Sequence, residues 1–254
     1  MKNRINFLGY PVDICTEKET LLTLQECIVQ HRQVIREDLN AAKVVWMHKD
    51  PAYAQMIQNA DIINADGMSV VWAVKFLLKQ KISRITGIDL MEKLIALSHE
   101  SGYTVFFLGA QKDIVQKTVA HYETLYSKQI VAGYHDGYFT DEDNIVKMIN
   151  QSHADILLIG MNSPRKENFV SAHKDQLKTS LVMGVGGSFD VIAGKVKRAP
   201  LWMQNAGLEW FYRFLQEPGR MWKRYIYTNS YFLFLVFKEK IKQLYPNTAG
   251  HKGT

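Results

Sequence analysis

The 254-residue chain is long enough for one domain, or for one domain with an appendage. Its 47% hydrophobic and 22% charged residues are ordinary for a soluble globular protein. Cys15 and Cys27 form no CxxC pair, which argues against a disulfide scaffold or a zinc site and fits a reducing compartment. The sequence predicts no signal peptide, because its N-terminus has no long apolar stretch, and no membrane span, because it lacks any apolar run of about 18 residues.

The net charge of +6 is concentrated near the C-terminus. Residues 195–254 hold 11 of the 31 Lys and Arg residues but only 3 of the 25 Asp and Glu residues. The remainder of the chain is slightly acidic. This asymmetry indicates an anionic partner, which could be a phosphate group, a nucleic acid or an anionic membrane surface.

Short apolar runs alternate with segments of helical period up to about residue 200. The pattern predicts strands within residues 43–47, 60–64, 103–109, 128–134, 154–160 and 180–187. Helical patterns cover residues 67–80 and 110–126. Fully apolar strands that alternate with helices predict an α/β fold with a Rossmann-like, mostly parallel sheet flanked by helices.

The composition changes after residue 200. Residues 200–245 are rich in aromatic and basic side chains, and they predict a helical C-terminal appendage that is interrupted near Pro218-Gly219. Such side chains suit the headgroup region of an anionic bilayer, although some of the aromatics could instead cover the core. The chain therefore divides into an α/β domain (1–199), a basic aromatic appendage (200–245) and a flexible tail (246–254).

Several apolar strands end in glycine, at Gly109, at Gly160 and in a run that contains Gly186 and Gly187. In open α/β sheets, ligands bind beyond the carboxyl ends of the strands, where helix N-termini offer N–H groups to phosphates. The run "GVGGSF" lacks the third glycine of GxGxxG, since Phe189 occupies that position, and no P-loop lysine follows. It is a weak nicotinamide signature and a better generic phosphate cradle, unless these glycines are only tight turns.

Asp66 lies between an apolar strand and a helical pattern. Asp is a favoured N-cap, so Asp66 could begin the helix, or its carboxylate could do chemistry. Asp89 and Glu92 have the spacing of a capping box, and Arg84 could be a solvated surface charge. The sequence has no HExxH motif and no paired acidic motif, so we expect no catalytic metal.

Taken in order, the motifs of the chain resemble the WecG/TagA/CpsF family of bacterial glycosyltransferases, glycosyltransferase family 26, from about residue 5 to about residue 240. The segments that carry the resemblance are Asn40 in "DLNAAKVV", "ADIINADGMSVVWA", "RITGIDLMEKL", "FFLGA", "AGYHDGYF", "ILLIGMNSPRKE", "GVGGSFDVIAGKVKRAP" and "GLEWFYRFLQEPGR". The resemblance implies an inverting, metal-independent transfer from a UDP-sugar to a polyprenyl-diphosphate-linked saccharide, without a cofactor. It also implies a cytoplasmic enzyme, peripheral on the inner face of the membrane, that serves cell-surface polysaccharide synthesis.

The resemblance also assigns roles to residues. Asp66 falls on the proposed general base, Arg84 on an arginine that contacts the donor diphosphate, and Asn40 on an active-site asparagine. Arginines of the appendage are thought to close over the site. The substrate-binding residues expected around this centre are Asp38, Gly109, Gly160, Lys166, Glu167, Gly186, Gly187, Asp190, Arg213 and Arg220.

Two residues depart from the family pattern. Asp38 stands where many members have Thr, and Lys166 stands where many have Gln. A lysine near a bound sugar could recognise an extra negative charge, such as that of a uronate, or another hydrogen-bond acceptor. The identities of the donor sugar and of the acceptor sugar therefore stay open, whereas the two departures do not change the reaction type that the resemblance implies.

Two alternatives come from the residues alone. The glycine-ended strands would suit a nucleotide-dependent oxidoreductase, but the third glycine is missing. The basic aromatic C-terminal region would suit a single-stranded nucleic-acid binder, but that function does not need the α/β body. The partners expected are thus a UDP-sugar, a lipid-linked saccharide and an anionic membrane surface, with no nucleic acid. A homo-oligomer is left open.

Overall fold

The computed structural model describes residues 3–216 and 218–245, without the side chains of residues 220, 221, 223 and 224. Its centre is a six-stranded parallel sheet in the order β4-β3-β8-β7-β5-β6, and a separate antiparallel hairpin joins β1 to β2. The strands are β1 (Arg4–Phe7), β2 (Tyr10–Asp13), β3 (Val34–Leu39), β4 (Ile62–Ala65), β5 (Val105–Gly109), β6 (Val131–His135), β7 (Ile156–Gly160) and β8 (Leu181–Gly184). The predicted α/β fold with a mostly parallel sheet is confirmed.

Helices flank both faces of this sheet. They are α1 (Glu17–Val29), α2 (Ala41–Lys49), α3 (Pro51–Gln58), α4 (Met68–Leu78), α5 (Gly87–Ser101), α6 (Lys112–Leu125), α7 (Glu142–Gln151), α8 (Arg165–His173), α9 (Ser188–Ile192), α10 (Leu201–Asn205), α11 (Glu209–Gln216) and α12 (Pro218–Leu244). The start of α12 agrees with the interruption predicted near Pro218-Gly219. The predicted flexible tail, residues 246–254, lies outside the described residues.

The strand predicted at residues 43–47 is wrong, because this segment belongs to α2. Asn40 begins the helix, and its Oδ1 accepts a hydrogen bond from the Lys43 backbone N–H at 3.1 Å. The run is apolar because α2 is covered by both α3 and α12. The strand that precedes it is β3. Its sequence "VIREDL" contains three charged residues, so the apolar pattern does not reveal that the strand is mostly buried.

The core has two faces because successive residues of each strand point to opposite sides. Phe107 of β5 packs with α1, α5, α6 and α9, whereas Phe106 packs with α7 and α8. At the β3–β4 end of the sheet, α2, α3, α4 and α12 form a further cluster with the hairpin. Phe232, Leu235 and Val236 of α12 are buried in it. One face of α12 in the predicted appendage therefore packs on the core.

Glycines let the strand ends approach closely at the carboxyl edge of the sheet. Gly109 has φ +129°, and a Cβ there would lie 2.5 Å from the carbonyl of Gly160. A Cβ on Gly160 would in turn lie 2.5 Å from the ring of Phe189. These two glycines are required by packing, whatever else they contact.

Candidate active site

A cleft of about 1150 Å³ lies at the carboxyl edge of the parallel sheet. Its wall combines the ends of β3, β4, β7 and β8 with the starts of α2, α4 and α5 and with parts of α11 and α12. Of the residues predicted from the sequence, it brings together Asp38, Asn40, Asp66, Arg84, Gly160, Lys166, Gly186, Gly187, Asp190 and Arg213. Gly109 and Glu167 do not line this cleft, and the side chain of Arg220 lies outside the described part of the chain.

Asp66 follows β4, and its backbone N–H donates to the carbonyl of Leu39 at 2.9 Å. The N-cap of α4 is Gly67, and no side chain caps this helix. The interpretation of Asp66 as a helix cap is therefore wrong. Burial, reinforced by the nearby Asp38, raises the pKa of Asp66 to about 6 although Arg84 and Arg36 oppose the rise. A carboxylate with this pKa is mostly ionised at neutral pH and accepts a proton more readily than an ordinary aspartate does.

Asp38 lies at the end of β3, beside Asp66 in the cleft wall. Its Oδ1 accepts from Lys43 Nζ at 2.9 Å, and its Oδ2 accepts from Asn40 Nδ2 at 3.3 Å. Burial disfavours its charge, but the cations of Lys43, Lys166 and Arg36 outweigh burial and hold the pKa of Asp38 well below its ordinary value. The cleft thus contains two neighbouring carboxylates whose proton affinities differ widely.

A buried cluster of charges lies beneath Asp38. Lys166 Nζ is 2.5 Å from both carboxylate oxygens of Glu37 and 3.1 Å from Oε1 of Glu167. Lys43 Nζ lies 3.0 Å from Glu37 and 3.3 Å from Glu167. Lys166 is only 3% exposed, and Gly184 leaves room for it, since a Cβ there would overlap the lysine side chain. The Lys166 ammonium is therefore enclosed by the protein's own carboxylates.

Arg84 is not a solvated surface charge, because the protein engages each of its guanidinium nitrogens. Its Nε donates to the carbonyl of Asp66 at 2.9 Å and its Nη1 to the carbonyl of Gln204 at 3.2 Å. Its Nη2 is 2.5 Å from Oε2 of Glu209. Sequence reasoning missed Glu209, although it is the single acidic residue between positions 195 and 216 and so carried a signal.

The glycine run after β8 forms the opposite wall of the cleft. Gly186 has φ +52°, a conformation that suits glycine. The guanidinium of Arg213 lies directly against Gly187, where a Cβ would collide with it. Asp190, which follows this turn, pairs with Lys195 at 3.2 Å. The start of α5 adjoins the same turn, because a Cβ on Gly87 would contact Val185.

The start of α5 differs from the prediction. Its N-cap is Thr86, whose hydroxyl oxygen accepts from the Asp89 backbone N–H at 3.2 Å. The capping box predicted from Asp89 and Glu92 is therefore wrong. The Asp89 carboxylate instead accepts from Arg198 Nη2 at 2.6 Å. This ion pair joins α5 to the segment that leads into α10.

The outer face of α12 is apolar. Leu233, Phe234 and Phe237 are each more than half exposed. No helix among the described residues is long and apolar enough to cross a membrane. Within residues 3–216 and 218–245, no three His, Cys, Asp or Glu side chains are grouped so that they could hold a metal ion.

Two comparisons with known proteins agree with the motifs. The sequence profile of the glycosyl transferase WecG/TagA/CpsF family matches residues 5–245. The N-acetylglucosaminyldiphosphoundecaprenol N-acetyl-beta-D-mannosaminyltransferase of Bacillus subtilis (strain 168) is 33% identical over 197 residues, which cover 78% of this chain and 77% of the relative. The family match includes both walls of the cleft and the helices that close it. The chain therefore belongs to the WecG/TagA/CpsF family of glycosyltransferases.

Proposed function

We propose that this enzyme transfers a sugar from a UDP-sugar to a polyprenyl-diphosphate-linked saccharide, with inversion and without a metal ion. The Bacillus subtilis relative is named for transfer of N-acetyl-beta-D-mannosamine to N-acetylglucosaminyldiphosphoundecaprenol, which supports a substrate pair of this class. The observation that carries the proposal is the carboxylate of Asp66, which lines the cleft, caps no helix and has a pKa of about 6. These are the properties that a general base for an acceptor hydroxyl requires.

In the proposed reaction, the acceptor hydroxyl attacks the anomeric carbon of the donor. Its proton passes to the Asp66 carboxylate, and the bond between the anomeric carbon and the UDP oxygen breaks with its electron pair leaving on UDP. Inversion needs this one base only, because UDP is a good leaving group.

The opposite wall of the cleft is assigned the role of stabilising the negative charge that develops on UDP. The backbone at Gly186 and Gly187, the start of α5 and the Arg213 guanidinium surround a position suited to a diphosphate. Arg84 lines the same cleft, and we expect the diphosphate to compete with Glu209 for its Nη2. Cationic and backbone donors of this kind stabilise a leaving group without a metal ion.

The acceptor places the proposed enzyme at a membrane surface. The exposed apolar face of α12 adjoins the cleft, since Leu233 and Phe237 line it as well. The basic residues of the C-terminal quarter would attract anionic headgroups. We propose peripheral attachment to the cytoplasmic face, so that a lipid-linked acceptor can enter the cleft from the bilayer.

A UDP-release assay tests the proposal. A panel of UDP-sugars is combined with a short-chain polyprenyl-diphosphate N-acetylglucosamine, and the anomeric configuration of the product is read by NMR. Asp66→Ala is expected to abolish transfer while UDP-sugar binding stays nearly intact. Asp141→Asn, which removes an exposed carboxylate that does not line the cleft and keeps an N-cap for α7, is the matched control.

Three results would contradict the proposal. Turnover by Asp66→Ala at the wild-type rate would exclude Asp66 as the base. Retention of the anomeric configuration would exclude a single displacement. Activity that EDTA removes and Mg²⁺ restores would exclude the metal-independent route.

A further inference from the structure

The order of the strands assigns a location to the transferred sugar. In the proposed function, the acceptor hydroxyl lies at Asp66 after β4, and the diphosphate lies at the glycine turn after β8. The transferred sugar is bonded to the diphosphate and is attacked by the hydroxyl at the same carbon, so it must lie between these two points. The strand between β4 and β8 is β3, and the cleft-lining side chain near its end is Asp38.

Asp38 retains hydrogen-bonding capacity toward the cleft. Lys43 and Asn40 donate one hydrogen bond each to its two oxygens, so lone pairs on both remain available. Its side chain is 19% exposed, in contrast to the 5% and 1% exposed side chains of Glu37 and Glu167 below it. Asp38 is thus the carboxylate of this cluster that can accept hydrogen bonds from a sugar hydroxyl or amide N–H.

The charges around Asp38 disfavour an acidic sugar. Lys43 and Lys166 are enclosed by Glu37, Asp38 and Glu167, which gives three carboxylates against two ammonium groups. Arg36 is completely buried, so it is not open to a ligand in the cleft; its Nε donates to Asn64 and its Nη2 to the carbonyl of Ile85, whereas its Nη1 has no hydrogen-bond partner among the described residues. A uronate carboxylate at this position would therefore meet the Asp38 anion directly, and the ammonium groups of Lys43 and Lys166 already face the protein's own carboxylates.

We propose that Asp38 binds the transferred sugar and makes the donor site selective for uncharged sugars over uronates, an inference that rests on the proposed use of a UDP-sugar. The acceptor-only carboxylate recognises a sugar that presents hydroxyl or amide N–H groups. Lys166 contributes to this selectivity indirectly. Its ammonium pairs with Glu37 and so holds the buried part of the charge cluster in place.

A binding experiment tests this selectivity without requiring turnover. Trp46 and Trp72 line the cleft, so their fluorescence is expected to report donor binding. The wild-type protein is titrated with UDP, UDP-N-acetylglucosamine, UDP-N-acetylmannosamine and UDP-glucuronate. We expect at least one of the N-acetylhexosamine donors to bind roughly tenfold or more tightly than UDP-glucuronate, since two like charges in a partly buried site repel strongly.

Variants identify the source of the selectivity. Asp38→Asn is expected to reduce the ratio of the two dissociation constants about tenfold, mainly through tighter binding of UDP-glucuronate, and to leave the affinity for UDP alone unchanged. Asp38→Glu keeps the charge and should keep the preference. Asp141→Asn, outside the cleft lining, serves as the control. An effect of Asp38→Asn on UDP and UDP-sugars alike would indicate a structural role and overturn the proposal.

The remaining outcomes are also decisive. If wild-type protein binds UDP-glucuronate as tightly as the uncharged donors, the inference fails even if Asp38→Asn does not fold, whereas the proposed function survives. Selectivity that persists in Asp38→Asn would likewise overturn it. If neither UDP nor any UDP-sugar binds, the proposed function fails and this inference fails with it.

Discussion

Replacing Asp66 by Asn is expected to stabilise the protein while it removes the activity. The substitution breaks no capping hydrogen bond, because Gly67 is the N-cap of α4 and no side chain caps that helix. It removes a carboxylate whose ionisation is disfavoured by burial and by Asp38. Asn has nearly the same shape and carries no charge.

The magnitude follows from the pKa of Asp66, which rises from an ordinary value of 3.8 to about 6 in the folded protein. At 1.36 kcal/mol for each unit of pKa, this difference corresponds to about 3 kcal/mol. The unfolded chain releases the proton first, so the wild-type protein loses stability as pH rises from about 4 to about 6. The side chain is partly exposed, so we expect Asp66→Asn to be about 1 to 3 kcal/mol more stable at pH 7.

Urea denaturation of both proteins between pH 4 and pH 8 measures this effect, with UDP release assayed on the same samples. The two unfolding free energies should converge at the acid end and separate toward neutral pH. Asn caps a helix about as well as Asp does, so a capping role alone would leave the stability of the variant close to that of the wild type at every pH. Equal stability of the two proteins at pH 7, or a difference that does not change with pH, would refute the reasoning.

Three further predictions concern other parts of the cleft and its rim. Asp38→Asn should move the acid limb of the kcat/KM profile below about pH 6, since Asp38 raises the pKa of the proposed base; an unchanged limb would contradict this coupling. Gly184→Ala should cost roughly 3–5 kcal/mol in urea denaturation, because its Cβ displaces Lys166 from a buried ion cluster; an unchanged midpoint would show that the lysine moves freely. Replacing Phe234 and Phe237 by Ser should reduce sedimentation with anionic vesicles at unchanged stability, as both are more than half exposed; undiminished sedimentation would place the membrane contact elsewhere.

The elements that the sequence predicted well are buried on both faces. β5 and β7 are apolar along their whole length, because helices cover both sides of the sheet. α4 also agrees with its predicted helical period. β3 was missed because its charges are neutralised by groups that are distant in sequence. For example, Glu37 and Lys166 are 129 residues apart, and no local pattern could pair them.

The site was predictable only in part for a similar reason. The resemblance identified most of the cleft residues, because it rests on motifs that lie at strand ends. It did not reveal that Glu209 would reach Arg84, or that the Lys166 ammonium would pair with Glu37 and Glu167. Both contacts depend on tertiary packing, since α11 folds back across the sheet edge and β3 lies next to β8.

The buried charge cluster is better explained by orientation than by stability. Buried ion pairs are often no more stabilising than well-packed apolar side chains, because desolvation offsets their attraction. Here the pairs tie three separate elements together: Glu37 belongs to β3, Lys43 to α2 and Lys166 to α8. That arrangement fixes Asp38 as an ionised group beside Asp66, and it separates the proton affinities of the two carboxylates. Asp38 is thereby kept as an anion, and Asp66 is able to take a proton at neutral pH.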